Sequence, residues 1–336
     1  MPTSLRGSEL DLDRLVLMSR EELARGDALA AVDRLQRLEH AEHSPESRKL
    51  LAHALLRAGA IDSARAVLAA LLAAGFDDEE TLGLAAREAK ARWQLGQPSA
   101  LQEARDAYLH AYRKTGGLWT GINAATLTLA AGNLSQARQL AGEVLAKATR
   151  LGIGAQEDYW TRAVVAEALL VTGELPTALG QYRLAVAAAP GAFGNYQSTL
   201  ENAAIVIKAS ALDPALLAGI FPQATVVAFC GPILEALPGG AARPYFEEEF
   251  HVASHLATAA GPQHVDVGIA SAAYGADILF LEAVHLAGGE IHVVLPCSAA
   301  DFRRISVAAI GGEQWGRRFD NLLREAEQGT ELAPHP

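Results

Sequence analysis

Two carboxylates near the start of a helix predicted late in the chain are the residues best placed for chemistry. Asp277 and Glu282 lie in ASAAYGADILFLEAVHLAGGEIHVVLP, residues 270–296. Cleavage of an N-glycosidic bond needs a carboxylate that stabilises or attacks an oxocarbenium-like centre, as in glycosidases. The two residues are five apart, roughly half a turn out of phase on a helix. We therefore do not expect them to act as a pair, and Glu282 is alternatively a helix-face residue hydrogen-bonded to a neighbouring loop.

The elements that would position these carboxylates form a βαβ unit. Residues 265–269 alternate as a strand does, residues 275–286 have helical apolar spacing, and residues 291–295 are an apolar run of strand length. The turn between strand and helix is built of small residues, and such a turn places a nucleotide or phosphate at the helix N-terminus. The ligand-binding residues predicted in this turn are Ser271, Gly275 and Asp277.

A third strand precedes this unit. TVVAFC, residues 225–230, is a β-branched run that ends at Gly231, and a loop rich in glycine and proline follows it. Ligands of parallel sheets bind beyond the carboxyl ends of the strands, so Gly231 joins the predicted site, with Arg243 as the counter-charge. Ordinary turns remain the alternative. No cofactor is predicted. The three loops that would meet there are 231–244, 270–277 and 296–300.

Histidine and cysteine spacing favours no metal site. His251 and His255 are four apart on a helix predicted over 245–260, but Val252 stands where the zincin pattern needs glutamate. Cys230 and Cys297 each follow a predicted strand, so we expect them at one edge of the sheet as buried free thiols.

Most of the chain before residue 220 is repetitive. Five glycines recur at spacings of 33, 37, 36 and 41 residues. An alanine follows each of them, and its small side chain would let the helix after the glycine pack closely on the helix before it. This spacing is close to the period of about 34 of tetratricopeptide repeats (TPRs) and predicts a helical solenoid. A helix at 201–210 is expected to cover its open end. The glycine–alanine pairs are Gly26/Ala31, Gly59/Ala64, Gly132/Ala137 and Gly173/Ala178, with a looser fifth beginning at Gly96.

Charge and composition exclude several classes. The net charge is −11, and residues 221–330 hold thirteen acidic and six basic residues, which is a poor match to nucleic acid. No Gly-Lys-Ser/Thr occurs in that part of the chain, so a P-loop is excluded there. No apolar run approaches the ~20 residues that cross a bilayer, and the first residues lack the apolar core of a signal peptide. These features predict a cytoplasmic protein without membrane contact.

Two stretches of the repeats resemble a known family. GLWTGINAATLTLAAGN (117–133) and EDYWTRAVVAEALLVTGELPTALGQYRLA (157–185) resemble the TRAFs-binding-type repeat domain of apoptosis-signal-regulating kinases and many bacterial signalling proteins. The resemblance covers about residues 80–210 and implies an interaction scaffold. The matching residues are Gly121 to Thr126, Asp158 to Trp160, Glu167, Gly173, Ala178 and Tyr182.

The aromatic residues of these stretches have helical spacing, which predicts core positions between repeats. Asn123 is expected to cap or bridge a turn. The aromatic residues are Tyr108, Tyr112, Trp160 and Tyr182.

The C-terminal part carries a second resemblance. VVAFCGP is similar to the first strand and turn of cytokinin-activating phosphoribohydrolases, and residues 270–296 are similar to the DNA-processing protein A family. Both belong to the SLOG-like Rossmannoid superfamily, and the resemblance covers about residues 225–310. It implies that Gly231, Ser271, Gly275 and Asp277 contact a nucleotide. The catalytic PGG-x-GT-x-x-E motif is not matched, because Pro238-Gly239-Gly240 continues as AARPYFE.

The sequence thus predicts a TPR-like α-helical solenoid at 1–221, a small α/β Rossmannoid domain with a parallel sheet at 222–330, and a disordered tail at 331–336. The leading hypothesis is a signalling scaffold whose repeats bind a protein partner or self-associate into a homo-oligomer. Its α/β domain would recognise a nucleotide or a nucleotide-derived ligand. The alternatives are a nucleoside or nucleotide N-glycosidase using Glu282 or Asp277, and a purely structural interaction protein.

Overall fold

The computed structural model divides the chain into two compact units, Met1–Pro222 and Gln223–Pro336. None of the described helices is long and apolar enough to span a bilayer. The residues that the structure describes are 4–38, 44–151, 158–231 and 265–328.

The first unit is helical throughout its described residues. Glycines that follow its helices adopt positive φ, as at Gly132 (87°) and Gly173 (100°), which lets the chain turn sharply into the next helix. The helices are α1 Ser4–Arg25, α2 Ala28–Leu38, α3 Pro45–Arg57, α4 Ile61–Ala73, α5 Glu79–Gln94, α6 Ala100–Thr115, α7 Leu118–Ala130, α8 Leu134–Arg150, α9 Tyr159–Thr172, α10 Leu175–Ala188 and α11 Phe193–Ala209, followed by a 3-10 turn at Pro214–Leu217.

The helices pack in pairs that form two layers. Each even-numbered helix from α2 to α10 packs on the odd-numbered helix before it, and α1, α3, α5, α7 and α9 contact one another in order. The predicted alanines Ala64, Ala137 and Ala178 are fully buried, because a larger side chain would separate the helices of a pair. The solenoid predicted from the glycine spacing is therefore confirmed. We call the layer of odd-numbered helices the inner layer.

Helix α11 departs from the prediction. It does not cover the end of the array as expected, because it packs against α1, α7 and α9 of the inner layer. Its apolar residues Tyr196, Ala203, Val206 and Ile207 are buried there. The helix thus bridges the first and the last repeats of the unit.

The prediction of a core position is wrong for one of the four aromatic residues, Trp160. Tyr108 and Tyr182 are fully buried and Tyr112 is half-buried, but the Trp160 side chain is 44% exposed. Trp160 directly follows Tyr159, whose ring it meets edge-on. Adjacent helical residues point about 100° apart, so burying Tyr159 turns Trp160 outward.

The second unit contains a three-stranded parallel sheet in the order β1-β2-β3, with β1 Val226–Ala228, β2 Val267–Ala270 and β3 Glu290–Val293. Val227 pairs with Gly268, and Gly268 pairs with Ile291. Helix α12, Ala276–Leu286, connects β2 to β3. A short helix α13, Ala299–Phe302, a π-helical segment Arg303–Ala308 and helix α14, Ala309–Gln328, follow. The predicted fold class, a TPR-like repeat followed by a small α/β region with a parallel sheet, is confirmed.

Some predictions fall outside the described residues: Arg243, the helix at 245–260 with His251 and His255, and the tail at 331–336. The prediction of buried thiols is wrong, because Cys230 and Cys297 are both exposed free cysteines. The strands are shorter than the apolar runs suggested, and both cysteines lie beyond the strand ends.

Candidate functional site

Asp277 joins two of the turns that the sequence predicted to meet. It lies in the first turn of α12 and is only 4% exposed. Its Oδ1 accepts the Gly231 backbone N–H at 2.9 Å, and its Oδ2 accepts the Ser271 hydroxyl at 2.5 Å. The buried carboxylate therefore fastens the turn after β1 to the turn after β2. The structure thus brings Gly231, Ser271 and Asp277 together.

The turn between β2 and α12 has a strained, well-packed backbone. Ala272 has φ 56° and is fully buried, and Gly275 has φ 106° and ψ −127°, which a residue with a side chain rarely adopts. The Tyr274 N–H donates to the Ser306 carbonyl at 3.1 Å, and its ring meets Trp315 edge-on at 4.7 Å. The turn is thus held by the π-helical segment and α14.

The π-helical segment explains how Ser306 reaches this turn. A π-turn displaces backbone carbonyls from the regular α-helical ladder, which frees them for other donors. The structure uses the backbone carbonyl of Ser306, because the displaced carbonyl meets the Tyr274 N–H.

Glu282 faces away from Asp277 and makes a different connection. Its two carboxylate oxygens accept from Arg318, with Nε to Oε1 at 2.8 Å and Nη2 to Oε2. The Arg318 guanidinium also lies 4.2 Å above the Trp315 ring. Glu282 therefore pairs with a helix, α14, rather than with a loop.

Both candidate carboxylates are engaged by other groups of the protein. Both oxygens of Asp277 accept hydrogen bonds, and Glu282 is in a bidentate ion pair. The first turn of a helix leaves backbone N–H groups without helical partners, and Gly275 provides no side-chain cap for α12. These N–H groups and the exposed Cys230 lie at the carboxyl edge of the sheet.

A second constellation lies between the inner layer and α11, and the sequence did not predict it. Lys90 on α5 is 7% exposed and donates to Asn123 Oδ1 at 3.4 Å and to Asn202 Oδ1. Glu167 on α9 accepts from the Thr126 hydroxyl at 2.5 Å and from Asn202 Nδ2 at 3.2 Å. Burial lowers the pKa of Lys90 to about 8 and raises the pKa of Glu167.

Two signals in the sequence could have suggested this network. Lys90 stands among the small apolar residues of AAREAKARW, at a position that faces the core. Asn123 and Glu167 belong to the family-like stretches, but the expected role of Asn123 as a cap or a bridge across a turn is wrong. Its side chain instead accepts from both Lys90 and Asn202, because α7 lies between α5 and α11.

Two arginines extend the network toward the first repeats. Arg87 contacts His53 Nε2 at 3.2 Å through Nη1 and donates to the Ser198 hydroxyl at 3.1 Å through Nη2. Arg57 Nη1 donates to the carbonyls of Leu23 (3.2 Å) and Gly194 (2.6 Å). Burial, with the nearby Arg87 charge, lowers the pKa of Arg57 to about 10 and that of His53 well below its usual value.

Comparison with known proteins agrees with the repeat architecture. Residues 27–128, from the turn after α1 into α7, match the family model described as Tetratricopeptide Repeats-Sensor. This part of the chain is therefore similar to tetratricopeptide repeats, in agreement with the paired packing of its helices. No curated protein matches the chain.

Among solved structures, the chain resembles a thermophilic TPR protein from Thermus thermophilus. The identity is 19% and the TM-score 0.43, over 60% of this chain and 99% of the other.

Proposed function

We propose that this protein is a signalling scaffold in which the helical repeats bind a protein partner and the α/β unit recognises a nucleotide or a nucleotide-derived ligand. Stacked helical repeats commonly present extended concave surfaces for binding. The match of residues 27–128 to repeats described as a sensor is the observation that carries the scaffold role. The finer resemblances, to TRAFs-binding-type repeats and to SLOG-like domains, belong to this proposal.

Ligand recognition by the α/β unit is supported by the connection that Asp277 makes. The carboxylate fixes Gly231 and Ser271 relative to the N-terminus of α12, so the turns after β1 and β2 form one preorganised surface. In parallel sheets this carboxyl edge is where ligands bind. A phosphate or a ribose hydroxyl would meet the backbone N–H groups of the first turn of α12, which have no partner within the helix.

A thermal-shift screen of the whole protein tests this role. Nucleotides, nucleosides, ribose phosphates and cyclic dinucleotides are the compounds to screen. A ligand at 100-fold over its dissociation constant should stabilise the protein by about 2.7 kcal/mol, which raises the unfolding midpoint measurably. No shift with any compound would leave a protein-binding scaffold whose α/β unit binds no such ligand.

The Gly275→Val variant locates the ligand. Gly275 directly precedes α12, and a β-branched side chain there should block close approach of a ligand. Gly288, beyond the other end of α12, also has positive φ (84°), so Gly288→Val is a control for backbone strain away from the predicted site. If both variants fold and Gly275→Val keeps full affinity, the ligand binds elsewhere.

The hydrolase alternative makes a separate prediction. A nucleoside or nucleotide that binds should lose its nucleobase when it is incubated with the protein, and chromatography would detect the free base. The Arg318–Glu282 pair would have to open for Glu282 to act, because both carboxylate oxygens are occupied. Binding without release supports the sensor role, and release supports the enzyme.

A further inference from the structure

Helix α11 lies across the inner layer in the way that a bound helix lies in a groove. Four inner-layer helices direct polar side chains at it. Arg57 of α3 contacts the Gly194 carbonyl, Arg87 of α5 contacts Ser198, and Tyr159 of α9 donates to the Thr199 hydroxyl at 2.7 Å. Asn123 of α7 and Lys90 of α5 both contact Asn202. The contacted positions 194, 198, 199 and 202 lie on one face of the helix. We call the inner-layer surface under α11 the inner groove.

The charges of the inner groove are poorly matched by α11. Arg57, Arg87 and Lys90 all donate to neutral acceptors, and among the described residues none of them is within ion-pair distance of a carboxylate. Two nitrogens of Arg57, Nε and Nη2, are buried without a hydrogen-bond partner in that part of the chain. Removing a cation from water destabilises the folded protein unless a nearby anion compensates the charge.

Two carboxylates lie at longer range and do not remove this excess. Glu167 is buried and is held by Thr126 and Asn202, and it is electrostatically coupled to Lys90. Glu201, on α11, is exposed and accepts from Gln197 at 3.0 Å, and it attracts Arg57 and Lys90 without forming an ion pair with either. The groove around Arg57 and Arg87 therefore remains positively charged.

We propose that the inner groove is the partner-binding surface of the repeats, that α11 is its built-in occupant, and that the partner is an acidic helical segment that competes with α11. This inference rests on the proposed scaffold function and names the partner's chemistry. A carboxylate at the position of Ser198 would form a charge-assisted hydrogen bond to Arg87, which is stronger than the bond to a hydroxyl. Tethering gives α11 a high effective concentration, so the better charge match is what lets a partner compete.

The first test changes the occupant within the whole protein. Ser198→Asp should raise the midpoint of thermal unfolding by roughly 2–4 °C, because it supplies the missing anion. Gln197→Asp is the comparison variant, since it adds the same charge to the exposed face of α11. It also removes the hydrogen bond to Glu201 and places two like charges four residues apart, so it should not raise the midpoint. A Ser198→Asp midpoint no higher than that of the wild type would overturn the charge argument.

The second test offers the helix as a separate molecule. Two labelled peptides copy residues 193–209, one unaltered and one with Ser198→Asp, and their binding to the whole protein is measured by fluorescence anisotropy. The acidic peptide should bind about 10-fold more tightly, and Arg87→Gln in the protein should abolish the difference. Circular dichroism checks that Arg87→Gln is folded.

The outcomes separate this inference from the scaffold function on which it rests. If Ser198→Asp stabilises the protein but neither peptide binds, α11 is permanent core and docking in the inner groove is refuted. The scaffold would then have to use another surface, and the proposed function would stand. Binding of both peptides with equal affinity would refute the acidic preference.

Discussion

At the scale of single residues, Asp277 supports the turns of the α/β unit. Asp277→Ala should destabilise that unit by about 2–4 kcal/mol, because it removes two charge-assisted hydrogen bonds and leaves the Gly231 N–H without its acceptor. Asp277→Asn keeps one acceptor oxygen and should cost less than Asp277→Ala. Urea unfolding of the three proteins measures the series, and equal loss for both variants would contradict the assigned role of the second hydrogen bond.

Lys90 gives a prediction about pH. The pKa of Lys90 is about 8 in the folded protein, below its ordinary value of 10.5. The folded state therefore keeps its full stability above pH 10.5 and loses part of it as pH falls from 10.5 through 8, because the buried amine must then take up a proton. The free energy of unfolding of the wild type should therefore rise between pH 8 and 10 relative to Lys90→Met, by on the order of 1 kcal/mol per pH unit.

The pH profiles of three proteins test this prediction. Lys208, an exposed lysine on α11, provides the control variant Lys208→Met, whose profile should run parallel to that of the wild type. Lys90→Met also loses the Lys90 hydrogen bonds, which lowers its free energy of unfolding by a similar amount at every pH. The test is therefore whether the slopes of the wild-type and Lys90→Met profiles differ between pH 8 and 10. A Lys90→Met profile parallel to the wild type would contradict the lowered pKa.

At the scale of elements, close helix packing depends on particular glycines. A Cβ on Gly121 of α7 would lie 2.8 Å from the Tyr112 ring and from Val144, so Gly121→Ala should destabilise the repeat by about 1–3 kcal/mol. Gly142 of α8 is a matched helical glycine, and a Cβ there would meet nothing within 4 Å. Gly142→Ala should stabilise the protein by about 0.5–1 kcal/mol. Thermal unfolding monitored by circular dichroism measures whether each variant is more or less stable than the wild type. Destabilisation by Gly142→Ala as well as by Gly121→Ala would show that the space beside α8 is not open.

At the scale of the whole molecule, the repeat unit contains the residues that complete its core. Leu217, Ile220 and Phe221 join that core, and the Phe221 ring meets Tyr182 at 5.3 Å. A fragment of residues 1–222 should therefore fold with helical circular dichroism and unfold cooperatively. A fragment ending at residue 213 lacks these three side chains and should unfold at a lower temperature. Equal midpoints would mean that the last residues of the unit contribute nothing.

The sequence predicted those features that depend on local periodicity and turn chemistry. The glycine spacing predicted the helix pairs because positive φ and a small alanine are requirements of the turn and of the adjacent contact. The apolar runs predicted three parallel strands and α12 because alternation and helical spacing differ along the chain. The sequence also predicted that Gly231, Ser271 and Asp277 lie together, because strand ends of a parallel sheet share an edge.

Only the tertiary structure decided which polar groups meet across distant elements. Glu282 pairs with Arg318, and Lys90 meets Asn202, which is 112 residues away along the chain. Helix α11 has an ordinary amphipathic pattern, and that pattern specifies a buried face without specifying which helices bury it. The sequence by itself therefore determined a helical repeat and a small parallel sheet, whereas packing determined that α11 fills the inner groove and that three cations of α3 and α5 contact it.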